Sequence, residues 1–102
     1  MAYTKYRKDK VDARKKRIEA GAYVKGLREA LEPRVTQREL AVTLKIAYFT
    51  FVSQVETGAA RVPPEELINW AKALKVDPAE FATKLLSYYD PHTYKAIFQG
   101  KR

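Results

Sequence analysis

Apolar residues recur at helical intervals through most of this chain, and the residues between them divide it into short helices. Val24, Leu27 and Leu31 fall at i, i+3 and i+7, one face of a helix that begins near Ala22 and is ended by Pro33. A short connection, Pro33-Arg34-Val35, leads to Thr36-Gln37-Arg38-Glu39. This is a capping box, in which Thr at N-cap and Glu at N3 satisfy each other's free backbone donors. Leu40, Ala41 and Leu44 then form a short stripe, which predicts a helix of about eight or nine residues that gives way near Lys45-Ile46. The β-branched and aromatic content of residues 47–57 argues for a strand. Its apolar positions do not alternate, however, and Gly58 follows as a stop residue, so a third helix is predicted with Val52 and Val55 in the core.

Pro63-Pro64 opens a fourth helix, whose predicted inner face is Leu67, Ile68, Ala71 and Leu74, with Trp70 beside it. Asp77 is the next N-cap, followed by Pro78 and Glu80, and Phe81, Leu85 and Tyr88 or Tyr89 continue that helix. Asp90-Pro91 repeats the start signal, and a short last helix runs to Phe98. Residues 1–19 are polar and basic, with only Val11 and Ile18 to anchor an apolar face, and read as a mobile or weakly helical arm. The pattern predicts an all-α chain, a compact bundle of five helices plus a short sixth, in three parts. These are a basic arm over 1–20, a core domain over 21–87 and a short helical segment over 88–102.

Charge changes this picture. The chain carries 20 Lys and Arg against 12 Asp and Glu, a net of +8. Residues 1–19 hold eight basic and three acidic side chains, a net of +5, so the excess is concentrated at one end. A basic tail on a nearly balanced body points to a polyanion bound through phosphate contacts, against the simpler reading of a solvated tail. With 102 residues one domain is expected. No apolar run approaches the roughly 18 residues of a membrane span, and no apolar stretch follows the N-terminal charges as in a signal peptide. Cysteine is absent, which removes disulfides, thiolate metal sites and Cys nucleophiles and fits a reducing cytoplasm.

Two short helices joined by a tight turn, the second followed by Gly and a basic loop, describe a helix-turn-helix. Residues 36–58, TQRELAVTLKIAYFTFVSQVETG, resemble the Cro/repressor-type (XRE, lambda-repressor-like) motif. The resemblance rests on Thr36, Gln37, Leu40, Ala41 and Leu44, then on Ser53, Val55, Glu56 and Gly58. It continues through Trp70, Ala71, Ala73, Leu74, Val76, Asp77 and Pro78 and covers roughly residues 22–86. Lys45 stands where the family has its turn glycine, and the segment from Leu44 to Val52 is one residue longer than usual. The family often pairs its helix-three glutamate with a first-helix arginine. The alignment puts Leu31 at that place, with Arg28 as the arginine nearby.

The resemblance implies a bacterial or phage regulator, cytoplasmic and nucleoid-associated, that binds double-stranded DNA as a homodimer, with repression as its default action. Tyr48, Phe49 and Thr50 then lie at the N-terminal end of the recognition helix, where base edges are met. Tyr48 and Phe49 either pack on thymine methyls or belong to the core, and Phe51 is assigned to the core. Gln54 can pair with adenine, and Ser53 can bond bases or phosphates. Thr36, Gln37, Arg38, Lys45, Thr57 and Arg61 are the candidate phosphate contacts, with Arg61 as the clamp. Arg14, Lys15, Lys16 and Arg17 form a basic cluster in the arm, which either enters a minor groove or acts as a non-specific tether.

Tyr88, Tyr89, Tyr94, Ile97 and Phe98 are more apolar than a small domain's last turns require. They form a candidate dimer interface, unless they fold back on the core. No catalytic residue, cofactor or metal is expected. His92 is the lone histidine, without a paired base or ligand cluster, and Glu65-Glu66 suit the first turn of a helix. The competing reading is an antitoxin or anti-activator on the same fold, with an antagonist or toxin as its protein partner.

Overall fold

The computed structural model describes the backbone of residues 2–100 and the side chains of residues 10–100. Met1, residues 101–102 and the side chains of residues 2–9, the outer parts of the expected arm and C-terminal segment, lie outside the described residues. Among the described residues the chain is all-helical. It forms α1 (Ala2–Glu29), α2 (Gln37–Thr43), α3 (Thr50–Thr57), a 3-10 turn (Pro64–Glu66), α4 (Leu67–Ala73), α5 (Pro78–Tyr89) and α6 (Pro91–Phe98).

The basic segment is not separate from the first helix, where the sequence predicts a mobile or weakly helical arm. α1 is continuous over 28 residues, about 42 Å at the helical rise. This matches the 49 Å long axis of a molecule only 30 × 22 Å across. Ala, Lys, Arg and Glu dominate its exposed part and are strong helix formers, and neither Pro nor Gly interrupts residues 2–20.

α1 packs on α3 and α5, α5 on α4 and α6, and α2 on α3. Ala20, Val24 and Leu31 from the N-terminal part meet Leu40, Ala41, Val52, Val55, Val62, Trp70, Ala71, Leu74, Phe81 and Leu85 in one core. The α1–α3 crossing is tight. A Cβ on Gly21 would lie 2.7 Å from the Val55 carbonyl oxygen, and one on Gly58 would lie 2.8 Å from the Arg17 carbonyl oxygen. Both helices bring backbone to backbone here, which only glycine permits.

The helix ends follow local chemistry. Thr36 and Glu39 form the reciprocal capping box at α2, and Asp77 accepts from the Glu80 amide at α5. α2 and α4 end in the same way. The Lys45 and Ile46 amides donate to the Val42 and Ala41 carbonyls, and the Lys75 and Val76 amides to those of Lys72 and Ala71. This is a Schellman motif twice over, and it places Lys45 (φ 58°) and Lys75 (φ 60°) in the left-handed region that usually falls to glycine.

Three local expectations shift. α2 is seven residues long, and α3 begins at Thr50 rather than Ala47, because the left-handed turn at Lys45 leads into an irregular stretch before helix resumes. The prolines open a 3-10 turn before α4. Leu67, Trp70, Ala71 and Leu74 then face inward at i, i+3, i+4 and i+7, and Ile68, predicted to be inside, is 58% exposed.

Candidate nucleic-acid interface

α3 has two unlike faces. Val52, Val55 and Glu56 are buried, and Phe51 meets Trp70 edge-on. Thr50, Gln54 and Thr57, at i, i+4 and i+7, are exposed, with Ser53 half-buried beside them. Tyr48 and Phe49 precede the helix rather than open it. Tyr48 is 77% exposed, and Phe49 is the N-cap residue, with the Arg38 guanidinium 4.6 Å above its ring.

The inner end of α3 is fixed by a buried polar network. Arg28 Nε and Nη2 donate to Glu56 Oε2 and Oε1 at 2.7 and 3.0 Å. Arg28 Nη1 donates to the Val35 carbonyl, and Gln37 Nε2 donates to Glu56 Oε1 at 2.9 Å. Both charged side chains are almost fully enclosed. The hydrogen bond to Glu56 raises the Arg28 pKa above its ordinary value. The network joins α1, the 30–36 connection, α2 and α3, and so sets how α3 is presented.

The candidate phosphate contacts are placed unevenly. Gln37 spends its amide on Glu56 rather than on solvent. The Thr36 hydroxyl accepts from the Glu39 amide, and the Thr57 hydroxyl donates to the Gln54 carbonyl. Arg38 and Lys45 are exposed. Arg61 donates to Asp90 at 2.9 Å and lies 4.5 Å over the Tyr89 ring, so it is engaged by the C-terminal elements. A shallow depression at the start of α2 is lined by Arg38 and Phe49, at the N-terminal end of α3, and by Arg34, which donates to Glu29 at 3.2 Å. Arg14, Lys15, Lys16 and Arg17 lie exposed along α1.

The candidate dimer residues divide. Tyr88 packs against Tyr23, and the Tyr89 hydroxyl accepts from the Val62 amide; both are partly buried against the core. Burial pushes the Tyr89 phenol up from its usual pKa. Tyr94 is half-buried and meets the Phe98 ring at a tilt, while Ile97 and Phe98 remain 62% and 54% exposed.

Sequence reasoning left two features out. One is the role of Val35, whose carbonyl takes the third Arg28 bond; no side-chain signal marks a backbone acceptor. The other is Gly21, and here the signal was present, since an isolated glycine in a run of strong helix formers marks close backbone approach.

Among the described residues no group of three His, Cys, Asp or Glu is placed to hold a metal ion, and no helix is long and apolar enough to cross a membrane. Comparison with protein-family models, curated proteins and solved structures finds no match to this chain.

Proposed function

We propose that this protein is a sequence-specific double-stranded-DNA-binding transcriptional regulator, a repressor, in which α2, the 44–49 turn and α3 act as a helix-turn-helix. The observation that carries this reading is the exposed stripe of α3, Thr50, Gln54 and Thr57, on a helix locked from behind by the Arg28–Glu56 pair. A short helix held rigidly, with one hydrogen-bonding face left open, is what reading base edges in a major groove requires. The net charge of +8 and the arginine over Phe49, Arg38, support the same reading. So does the first-helix arginine on Glu56, the pairing that the resemblance to the repressor-type motif leads one to expect.

In this reading Gln54 and Thr50 hydrogen-bond to bases, and Tyr48 and Phe49 pack on thymine methyls. Arg38 and Lys45 hold phosphates. One α3 covers only a few base pairs, so the functional unit is a homodimer on an inverted repeat, with Ile97 and Phe98 as the apolar surface left for a second copy.

One observation favours a second reading, a protein-binding module of the antitoxin or anti-activator kind. Val42, Tyr48 and Phe49 are all exposed on the α2–α3 side, an apolar content that suits a protein partner as well as a base edge.

Selection of bound duplexes from a random pool at near-physiological salt tests both. An enriched inverted repeat supports the dimeric DNA-binding regulator, and an enriched single half-site supports DNA reading by a monomer. A pool that stays random defeats the sequence-specific reading and leaves a non-specific or protein-binding role.

A further inference from the structure

The basic run Arg14-Lys15-Lys16-Arg17 looks like a single patch in sequence, but α1 is continuous through it and separates its members by about 100° per residue. The crossing with α3 fixes the reference direction. Gly21 abuts the Val55 and Glu56 backbone, and Gly58 abuts Arg17 and Ile18. Counting back four and seven residues from Gly21 gives Arg17 and Arg14, so both lie on the face of α1 that packs against α3. Lys10 follows on the same face. Lys15 and Lys16 lie roughly 120–140° away around the helix, and Lys16 lines a depression with Tyr89, Asp90 and His92 at the start of α6.

The face of α1 that packs on α3 therefore continues past the end of α3, and there it carries exposed arginines. At the opposite end of α3, Arg38 lies over the Phe49 ring, and Arg34, which donates to Glu29 at 3.2 Å in an exposed ion pair, lines the same depression. α3 is thus bracketed by arginines at both ends. Its eight residues span about 12 Å, close to the width of a major groove between its two phosphate rows. A second copy of α1 is a poor occupant for this strip, because residues 1–19 carry a net +5 and repel their like.

We infer that α1 is a rigid phosphate clamp, in which Arg14 and Arg17 hold the DNA strand that runs past the C-terminal end of α3. This rests on the DNA-binding reading above and adds a fixed geometry to it. A flexible tether responds to how many charges it carries; a clamp responds to the face on which they sit.

Two charge-matched variants separate these cases. Arg14→Gln/Arg17→Gln removes two charges from the α3 side, and Lys15→Gln/Lys16→Gln removes two from elsewhere on the same turns. Binding of the duplex enriched by selection is measured by fluorescence anisotropy over a series of salt concentrations, with circular dichroism melts to establish that both variants fold. The arginine pair is expected to weaken binding about ten-fold and to lower the salt slope by about two, and the lysine pair to weaken it less than about three-fold. Equal losses from the two pairs, or no loss from the arginine pair, overturn the clamp while leaving DNA binding intact. Failure of the wild-type protein to bind any duplex overturns the DNA-binding reading and the clamp together.

Discussion

Arg28 and Glu56 form a two-pronged ion pair inside the domain, at 2.7 and 3.0 Å, across 28 residues of sequence. The pair carries a steep one-sided cost. Charges buried this well are stable only while each keeps its partner, and removing one leaves the other uncompensated. Glu56→Ala is expected to lose about 3–5 kcal/mol of unfolding free energy. Arg28→Met/Glu56→Leu, which removes both charges and keeps the volume apolar, is expected to lose clearly less. Urea denaturation of the three proteins checks this, and a double variant as unstable as the single one would contradict it.

The two glycines of α1 make opposite predictions. Gly21 faces the α3 backbone, and an added Cβ would meet it at overlap distance; Gly26 has nothing within 4 Å of that position. Gly21→Ala is expected to destabilise by about 1–3 kcal/mol, through forced separation of α1 and α3. Gly26→Ala is expected to stabilise by about 0.5–1 kcal/mol through helix propensity alone, a rise of several degrees in Tm for a domain this size. Thermal melts in which Gly21→Ala raises Tm as Gly26→Ala does would contradict the tight α1–α3 crossing.

These features also mark where sequence reasoning succeeds and fails. Thr36 with Glu39, Asp77 with Pro78, and Gly58 as a stop are legible because their chemistry is complete within four residues. Residues 2–19 are not legible as a helix, because their sequence carries no apolar period and such a segment signals itself only through propensity. Ile68 is misplaced because the inner face of α4 centres on Leu67, Trp70, Ala71 and Leu74, which leaves Ile68 about 100° around the helix from Leu67. The partner of Glu56 is misaligned to Leu31 because the irregular 30–36 connection breaks the count between helices. On α3, the alternation of buried and exposed positions was readable from Val52 and Val55. That Gln37 and Arg61 are engaged by other side chains was not, since both bonds join residues distant in sequence.

Arg61 illustrates the consequence. Its guanidinium is held by Asp90 and lies over Tyr89, so a phosphate must compete with a carboxylate for it. The ion pair is exposed, so Asp90→Asn is expected to change stability by under about 1 kcal/mol. On the DNA-binding reading it frees Arg61 and raises affinity for all duplexes roughly two- to five-fold. Arg61→Ala is expected to weaken all sequences alike and to cancel that gain in the double variant. An Asp90→Asn effect that persists without Arg61 would trace the gain to net charge instead.

Gln54 is the most direct test of base reading. It sits at the centre of the exposed α3 stripe, one turn from Thr50 and one from Thr57, and its side chain is exposed to solvent. A glutamine there can offer its amide donor and acceptor together to the edge of an adenine, a pairing worth about 1–3 kcal/mol against the wrong base. Because the side chain is exposed, Gln54→Ala is expected to leave stability within about 0.5 kcal/mol of wild type. Binding should then report recognition alone. The expected result is a loss of about 1–3 kcal/mol on the selected duplex, little change on random duplex, and relaxed preference at one base position when the selection is repeated. An equal loss on selected and random DNA would place Gln54 against the backbone and move base reading to Thr50, Tyr48 and Phe49.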